Sequence, residues 1–219
     1  MGPAFPTRPW TFAGLSFFLA WAPPAAEAAA APVATAGDGA PPRVPRVSGW
    51  FMRADLDAAV AFARVRDLDT PRPHMGPAGS LAVGQVVTPW LALGLRVWGQ
   101  LGWANPGARQ RLGQGAVLLD GTFRPLPRKN LLLRTSLGVG GGAVREAGRK
   151  GRAGFGGPVF ALDVSYAFFP GVRRYRPYRA GGFFLAPHVG YVVATPAAKG
   201  RPMAQSVVAG LAVGFYFGE

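Results

Sequence analysis

The sequence predicts an all-β fold, an eight-stranded antiparallel up-and-down barrel that crosses a membrane. Three observations point there. Large apolar residues recur at every second position through eight segments, charged residues are scarce inside those segments, and short turns alternate with longer connections.

The first segment places Trp50, Met52, Ala54, Leu56, Ala58, Val60 and Phe62 on one face and Arg53, Asp55, Asp57, Ala59 and Ala61 on the other. Next, Leu81, Val83 and Val87 alternate with Ser80, Ala82 and Gly84. Leu91 through Trp103 alternate with Ala92, Gly94, Arg96, Gln100 and Gly102, and Val117, Leu119 and Phe123 oppose Ala116, Asp120 and Thr122. The second half repeats the scheme. Leu131, Leu133, Leu137 and Val139 oppose Arg134, Ser136 and Gly138, and Phe160 through Phe168 oppose Ala161, Asp163 and Ser165. Phe183 through Val193 then oppose His188 and Gly190, and Val207 through Phe217 oppose Ser206, Gly210, Ala212 and Gly214. Period two is the mark of a strand with two unlike faces. The short connections fall at Pro89-Trp90 and around residues 124–129. The long ones are expected near residues 66–77, 105–114, 143–157 and 196–204, and residues 170–180 are too long for a simple turn.

Volume decides which face points inward. An eight-stranded barrel has an interior just wide enough for side chains. It cannot take five or six Leu, Val, Phe or Tyr residues from every strand, so the bulky face must point outward, into lipid. Gly, Ala, Ser and a few longer residues are left for the lumen. The strand charges obey the same rule. Arg53, Arg96 and Arg134 stand against Asp55, Asp57, Asp120 and Asp163, all on the small-residue face. Such near-balance is what buried ions require. With His188 they are expected to form a lumen network that holds the barrel closed.

The formal net charge of +14 therefore resides outside the strands. Only 16% of residues are charged, below the roughly quarter usual in soluble domains. Gly (32) and Pro (22) are abundant, but the glycines sit within alternating apolar segments, which argues against disorder. Cysteine is absent, which excludes disulfides, thiolate metal sites and a Cys nucleophile. No metal or cofactor is expected.

The N-terminus reads as an export signal. Arg8 precedes the apolar stretch Trp10–Trp21, Pro23-Pro24 end it, and Ala-x-Ala sites lie at 26–28 and 28–30. The apolar run is short for a spanning helix. The expected organisation is a signal peptide over 1–30, a flexible Pro/Ala/Gly-rich lead-in over 31–48, and a barrel domain over 49–219.

These features resemble the small outer-membrane β-barrel proteins of Gram-negative bacteria, especially the eight-stranded ones. The residues that carry the resemblance are the export-type N-terminus, the alternating strands and the closing segment Ser206–Phe217 (SVVAGLAVGFYF). In that family the last strand tends to end on an aromatic residue read by the barrel-assembly machinery. Phe217 holds that place here, although Gly218-Glu219 follow it. The resemblance implies an outer-membrane location in contact with lipid and lipopolysaccharide. It also implies a possible lipid-A-modifying hydrolase or acyltransferase, since some members carry a His and a Ser near one rim. His188 and Ser206 are the residues here that such a reading would use, but no orienting acid or oxyanion site is legible.

Two motifs carry less than they suggest. Gly138-Val139-Gly140-Gly141-Gly142-Ala143 matches a dinucleotide fingerprint, with Asp163 about 20 residues on. A helix must follow to hold the pyrophosphate, and residues 144–158 cannot form one. The clusters Arg145/Arg149/Lys150/Arg152 and Arg173/Arg174/Arg176/Arg179 look like polyanion sites. In an exported barrel their partners are lipopolysaccharide phosphates or other anionic groups rather than nucleic acid. The expected role is structural or adhesive and non-enzymatic. A soluble periplasmic β-barrel binder is the alternative if the faces are reversed.

Overall fold

A computed structural model describes residues 48–65, 73–104, 110–125, 130–148, 153–170, 181–195 and 203–217. The chain divides into units Met1–Pro41 and Pro42–Glu219, and all described residues lie in the second. The expected signal peptide lies outside the described residues, as does all but the end of the lead-in.

Eight strands follow in chain order: β1 (Trp50–Arg64), β2 (His74–Thr88), β3 (Leu91–Ala104), β4 (Gln110–Phe123), β5 (Leu131–Glu146), β6 (Ala153–Tyr166), β7 (Gly181–Ala194) and β8 (Met203–Phe217). Each pairs antiparallel with the next, and β1 pairs with β8 to close the barrel. Closure leaves no sheet edge, which satisfies the backbone without water. Trp50, opposite both Gln85 and Phe217, marks the end that carries the Pro89-Trp90 turn. The other end carries Arg64, His74, Ala104 and Gln110 and is the loop end.

The strands run 14 to 16 residues, longer than expected, and the loop-end connections shrink accordingly. Pro77 lies in β2 opposite Ala58, Gln114 lies in β4 opposite Gln100, and Gly138–Gly142 lie in β5. The connection expected over 143–157 reduces to 147–152. Gly and Pro weaken local strand propensity, but neighbours paired on both sides override it. Phe168 stands outside β6 and joins β7 only by an isolated bridge to Leu185. The ladder is interrupted where Pro187, which has no N–H, faces Tyr166.

The bulky face does point outward. Leu56 (75% exposed), Leu81, Leu119 and Val139 (68% each) belong to a belt that encircles every strand. A continuous apolar surface of this size has no place in water, whereas in hydrocarbon it costs nothing.

The lumen holds more large apolar groups than expected. Phe51, Trp98, Leu112, Leu118, Leu132, Phe184 and Tyr216 are all buried. At the turn end Phe51, Phe169, Phe184 and Tyr216 form an aromatic plug, with ring centroids 5.1 to 6.4 Å apart. Towards the loop end, Trp98, Leu112, Val144, Val159 and Val192 form a second apolar layer. Inward glycines make room for the aromatics. A Cβ at Gly84 would come within 2.7 Å of the Phe51 ring, and one at Gly214 would overlap the Phe184 ring.

This facing separates two substitutions. Val139→Arg, at the middle of an outward face, should cost about 2–4 kcal/mol by putting a cation into hydrocarbon. Leu118→Ala should cost about 2–5 kcal/mol by opening a cavity in the lumen. Urea unfolding in lipid vesicles measures both, and a neutral Val139→Arg would mean that this face meets water.

Candidate functional site: the ionic lumen

Between the two apolar layers lies a band of buried ions. Arg53, Asp55, Arg96, Asp120, Arg134 and Asp163 form one connected cluster of three guanidiniums and three carboxylates, so its formal charge is zero. Strand register brings some members together locally. Arg134 on β5 is directly opposite Asp163 on β6, and Arg53 and Asp55 sit two apart on β1. Other contacts cross the lumen. Arg96 of β3 reaches Asp163 of β6, and Arg134 of β5 reaches Asp55 of β1.

Two carboxylates carry the cluster. Asp55 accepts from Arg53 Nε at 2.7 Å through Oδ1 and from Arg134 Nη2 at 2.8 Å through Oδ2, and Arg96 Nη2 lies 3.7 Å away. Asp163 Oδ2 accepts from Arg96 Nη1 at 2.7 Å and from Arg134 Nε at 3.1 Å. Asp120 is peripheral, with Oδ1 3.8 Å from Arg134 Nε. Two serines link the ions. Ser80 accepts from Arg96 Nε at 2.9 Å and donates to Asp55 at 2.5 Å, and Ser136 donates to Asp120 at 2.6 Å. Arg96 and Arg134 are completely buried. Arg suits such a site because its planar fork reaches two acceptors at once and it is always charged.

Asp57 and His188 stand apart from the cluster, with His188 Nε2 2.9 Å from Asp57 Oδ1. Gly210 of β8 lies in register between them, and a Cβ there would overlap the Asp57 carboxylate. Nearer the loop end, Gln114 donates to Gln100 at 2.7 Å and to Ser206 at 2.8 Å. Ser80, Ser136, Gln100 and Gln114 were missed as network members. Parity was the available signal for three of them, since Ser80 follows the face of Ala82, Gln100 that of Arg96 and Ser136 that of Arg134, whereas Gln114 lay in a stretch read as a connection. Among the described residues, no group of three or more His, Asp or Glu side chains is arranged to hold a metal ion.

The structure separates His188 from Ser206. His188 is opposite Gly210 and Ser206 opposite Val192, four positions apart along β8. Of the basic residues singled out in the sequence, Arg145 is exposed near the loop end of β5. Arg149, Lys150, Arg152, Arg173, Arg174, Arg176 and Arg179 lie outside the described residues.

A closed eight-stranded barrel, apolar on its whole outer belt and packed inside with ions and aromatics, is an integral membrane barrel of the small outer-membrane type. No protein-family model and no curated protein matches the sequence. Among solved structures, the chain is similar to the attachment invasion locus protein Ail of Yersinia pestis, with TM-score 0.49 and 10% identity over 77% of this chain and 99% of that one. It is similar to Neisserial surface protein A, with TM-score 0.47 and 14% identity over 76% and 97%. The N-terminal β-barrel domain of Pseudomonas aeruginosa OprF matches with TM-score 0.38 and 13% identity over 74% and 96%.

The unequal roles of the aspartates are testable. Asp163→Ala strips the shared acceptor from two buried arginines and should destabilise the barrel by about 3–5 kcal/mol. Asp120→Ala removes only a peripheral partner and should cost distinctly less. Unfolding midpoints of the two variants in vesicles check this, and equal losses would show that the cluster does not centre on Asp163.

Proposed function

We propose that this protein is a non-conducting, non-enzymatic outer-membrane barrel with a structural or adhesive role, exercised at its loop end through the basic segment joining β5 to β6, which meets lipopolysaccharide or another anionic surface. The cluster at 173–179 belongs to the segment joining β6 to β7, whose described ends lie at the turn end. The observation that carries this reading is the filling of the lumen along its height. An aromatic plug, a neutral ion cluster and a layer built on Trp98, Leu112 and Val144 succeed one another. A pore needs an open path, and here aromatic rings close the turn end while Trp98, Leu112 and the Gln100–Gln114–Ser206 bridge fill the lumen towards the loop end. With the interior closed, what remains to act is the surface.

Catalysis is disfavoured by register. A Ser–His pair must be within hydrogen-bond reach, but the four positions between the levels of His188 and Ser206 correspond to roughly 13 Å of strand. Ser206 is instead engaged by Gln114, and His188 faces Asp57. A soluble binder is disfavoured by the exposed apolar belt. The exposed Phe217 at the end of β8 suits recognition by a barrel-assembly machinery during insertion.

Purified protein in planar bilayers should give no stable openings of the size of a water-filled pore, and discrete, long-lived conductance would overturn the closed reading. In cells, His188→Ala should leave the lipid A mass spectrum unchanged, whereas a changed spectrum would restore the enzymatic alternative. Retention on immobilised lipopolysaccharide is expected, weakening as salt rises from about 0.05 to 0.5 M because exposed charges are screened.

A further inference from the structure

Near the loop end of the wall, two arginines face each other. Arg111 of β4 and Arg145 of β5 are direct register partners, both exposed on the outward, membrane-facing side. Like charges opposite one another destabilise a ladder unless something neutralises them. Among the described residues no acid pairs with either. The neighbouring Glu146 belongs to the opposite face, where it accepts a hydrogen bond from Gln110. Trp103 of β3, 46% exposed, is the next outward residue in the same row, opposite Arg111.

What lies below this pair, towards the middle of the belt, carries less side-chain volume than most of the outer wall. Elsewhere outward positions are mostly Leu, Val, Phe, Met, Trp or Tyr, with a second small-residue patch at Ala58, Pro77 and Ala209 of β1, β2 and β8. Below the arginines they are Gly99, Gly113, Gly115, Gly141, Ala143 and Gly156, on four adjacent strands. Internal packing does not demand most of these glycines. A Cβ at Gly99 or Gly113 would meet nothing closer than 3.7 Å, and one at Gly156 nothing closer than 3.4 Å. The inward glycines differ, since a Cβ at Gly84, Gly190 or Gly214 would collide with a neighbour. The wall is therefore bare on its lipid side, directly under two cations that pair with no described acid, with Leu101 and Trp103 along one side.

We propose that Arg111 and Arg145 bind the phosphate of a lipid in the surrounding leaflet, whose acyl chain lies in the bare strip below. Guanidinium groups match phosphate oxygens with charge-assisted, bidentate hydrogen bonds. The phosphate removes the repulsion between the two arginines, and the chain fills the missing side-chain volume. The Trp103 ring sits at the level of the headgroup, where aromatic residues favour the interface. Because the pair is at the loop end, the lipid is one of the outer leaflet, and a phosphorylated lipid A-type glycolipid fits that position. The assignment rests on the membrane reading above.

Native mass spectrometry of the detergent-released full chain tests it, with bis-phosphorylated lipid A, dephosphorylated lipid A and phosphatidylcholine as probes. The wild type should retain bis-phosphorylated lipid A, and Arg111→Ala/Arg145→Ala should lower that retention about tenfold, the effect of losing roughly 1.4 kcal/mol. Gly113→Leu/Gly156→Leu keeps the arginines but fills the strip, and should also weaken retention. Excess inorganic phosphate should compete only weakly, because it lacks the chain, and complete displacement by it would mean a simple anion site. Equal retention of the three lipids, or an unchanged Arg111→Ala/Arg145→Ala variant that still migrates as a folded barrel, would overturn the proposal while leaving the membrane reading intact. Failure of the wild type to insert into vesicles at all would instead sink the membrane reading itself.

Discussion

Eight strands closed on themselves enclose a space of fixed and small cross-section, and nearly everything else in this protein follows from that limit. Side chains that fit must go in, and the rest must face out. Leu56, Leu81, Leu119 and Val139 are too many and too large for the interior, so they form the outer belt. The belt then demands hydrocarbon around it. What remains inside has to be packed without voids, which is why Gly84 and Gly214 stand beside Phe51 and Phe184.

The same limit explains the ion cluster. A lumen closed at the turn end by Phe51, Phe184 and Tyr216, and lined towards the loop end by Leu112 and Val144, cannot hydrate a charge. Every guanidinium in it needs carboxylate oxygens, and three arginines meet three aspartates. Buried ion pairs are rarely a large net source of stability. Their strength is geometric. Arg96–Asp163 and Arg134–Asp55 cross the lumen, and slipping one strand by a single residue would turn its ion towards lipid. The cluster therefore specifies register, while the belt supplies the drive to insert.

With its centre filled by packed side chains, the described barrel presents its outer wall and its two ends to partners. The outer wall is not uniform. Most of it carries bulky side chains, but beneath Arg111 and Arg145 it is bare on four strands. A membrane protein chooses among lipids by such departures from uniformity, because a smooth greasy cylinder treats all acyl chains alike.

Much of this fold was legible from residue order. Period two identified the eight strands and the two faces, because alternation follows from the pleat and needs no knowledge of partners. Parity alone put Arg53, Asp55, Asp57, Arg96, Asp120, Arg134, Asp163 and His188 on the inward side, and interior volume settled that this side was the lumen. Strand limits were less legible. Gln114 and Pro77 sit among glycines and prolines that read locally as loop, and only pairing with both neighbours draws them into strands. Which ion meets which was beyond the sequence. Arg96 and Asp163 are 67 residues apart and Arg134 and Asp55 are 79 apart, and their contacts depend on register, tilt and closure acting together. The split of Asp57 and His188 from the main cluster, the separation of His188 from Ser206 and the meeting of Arg111 with Arg145 have the same origin. Composition and alternation determine what faces lipid, but only the closed sheet sets the height of each residue on the wall, and contact across a barrel is decided by height.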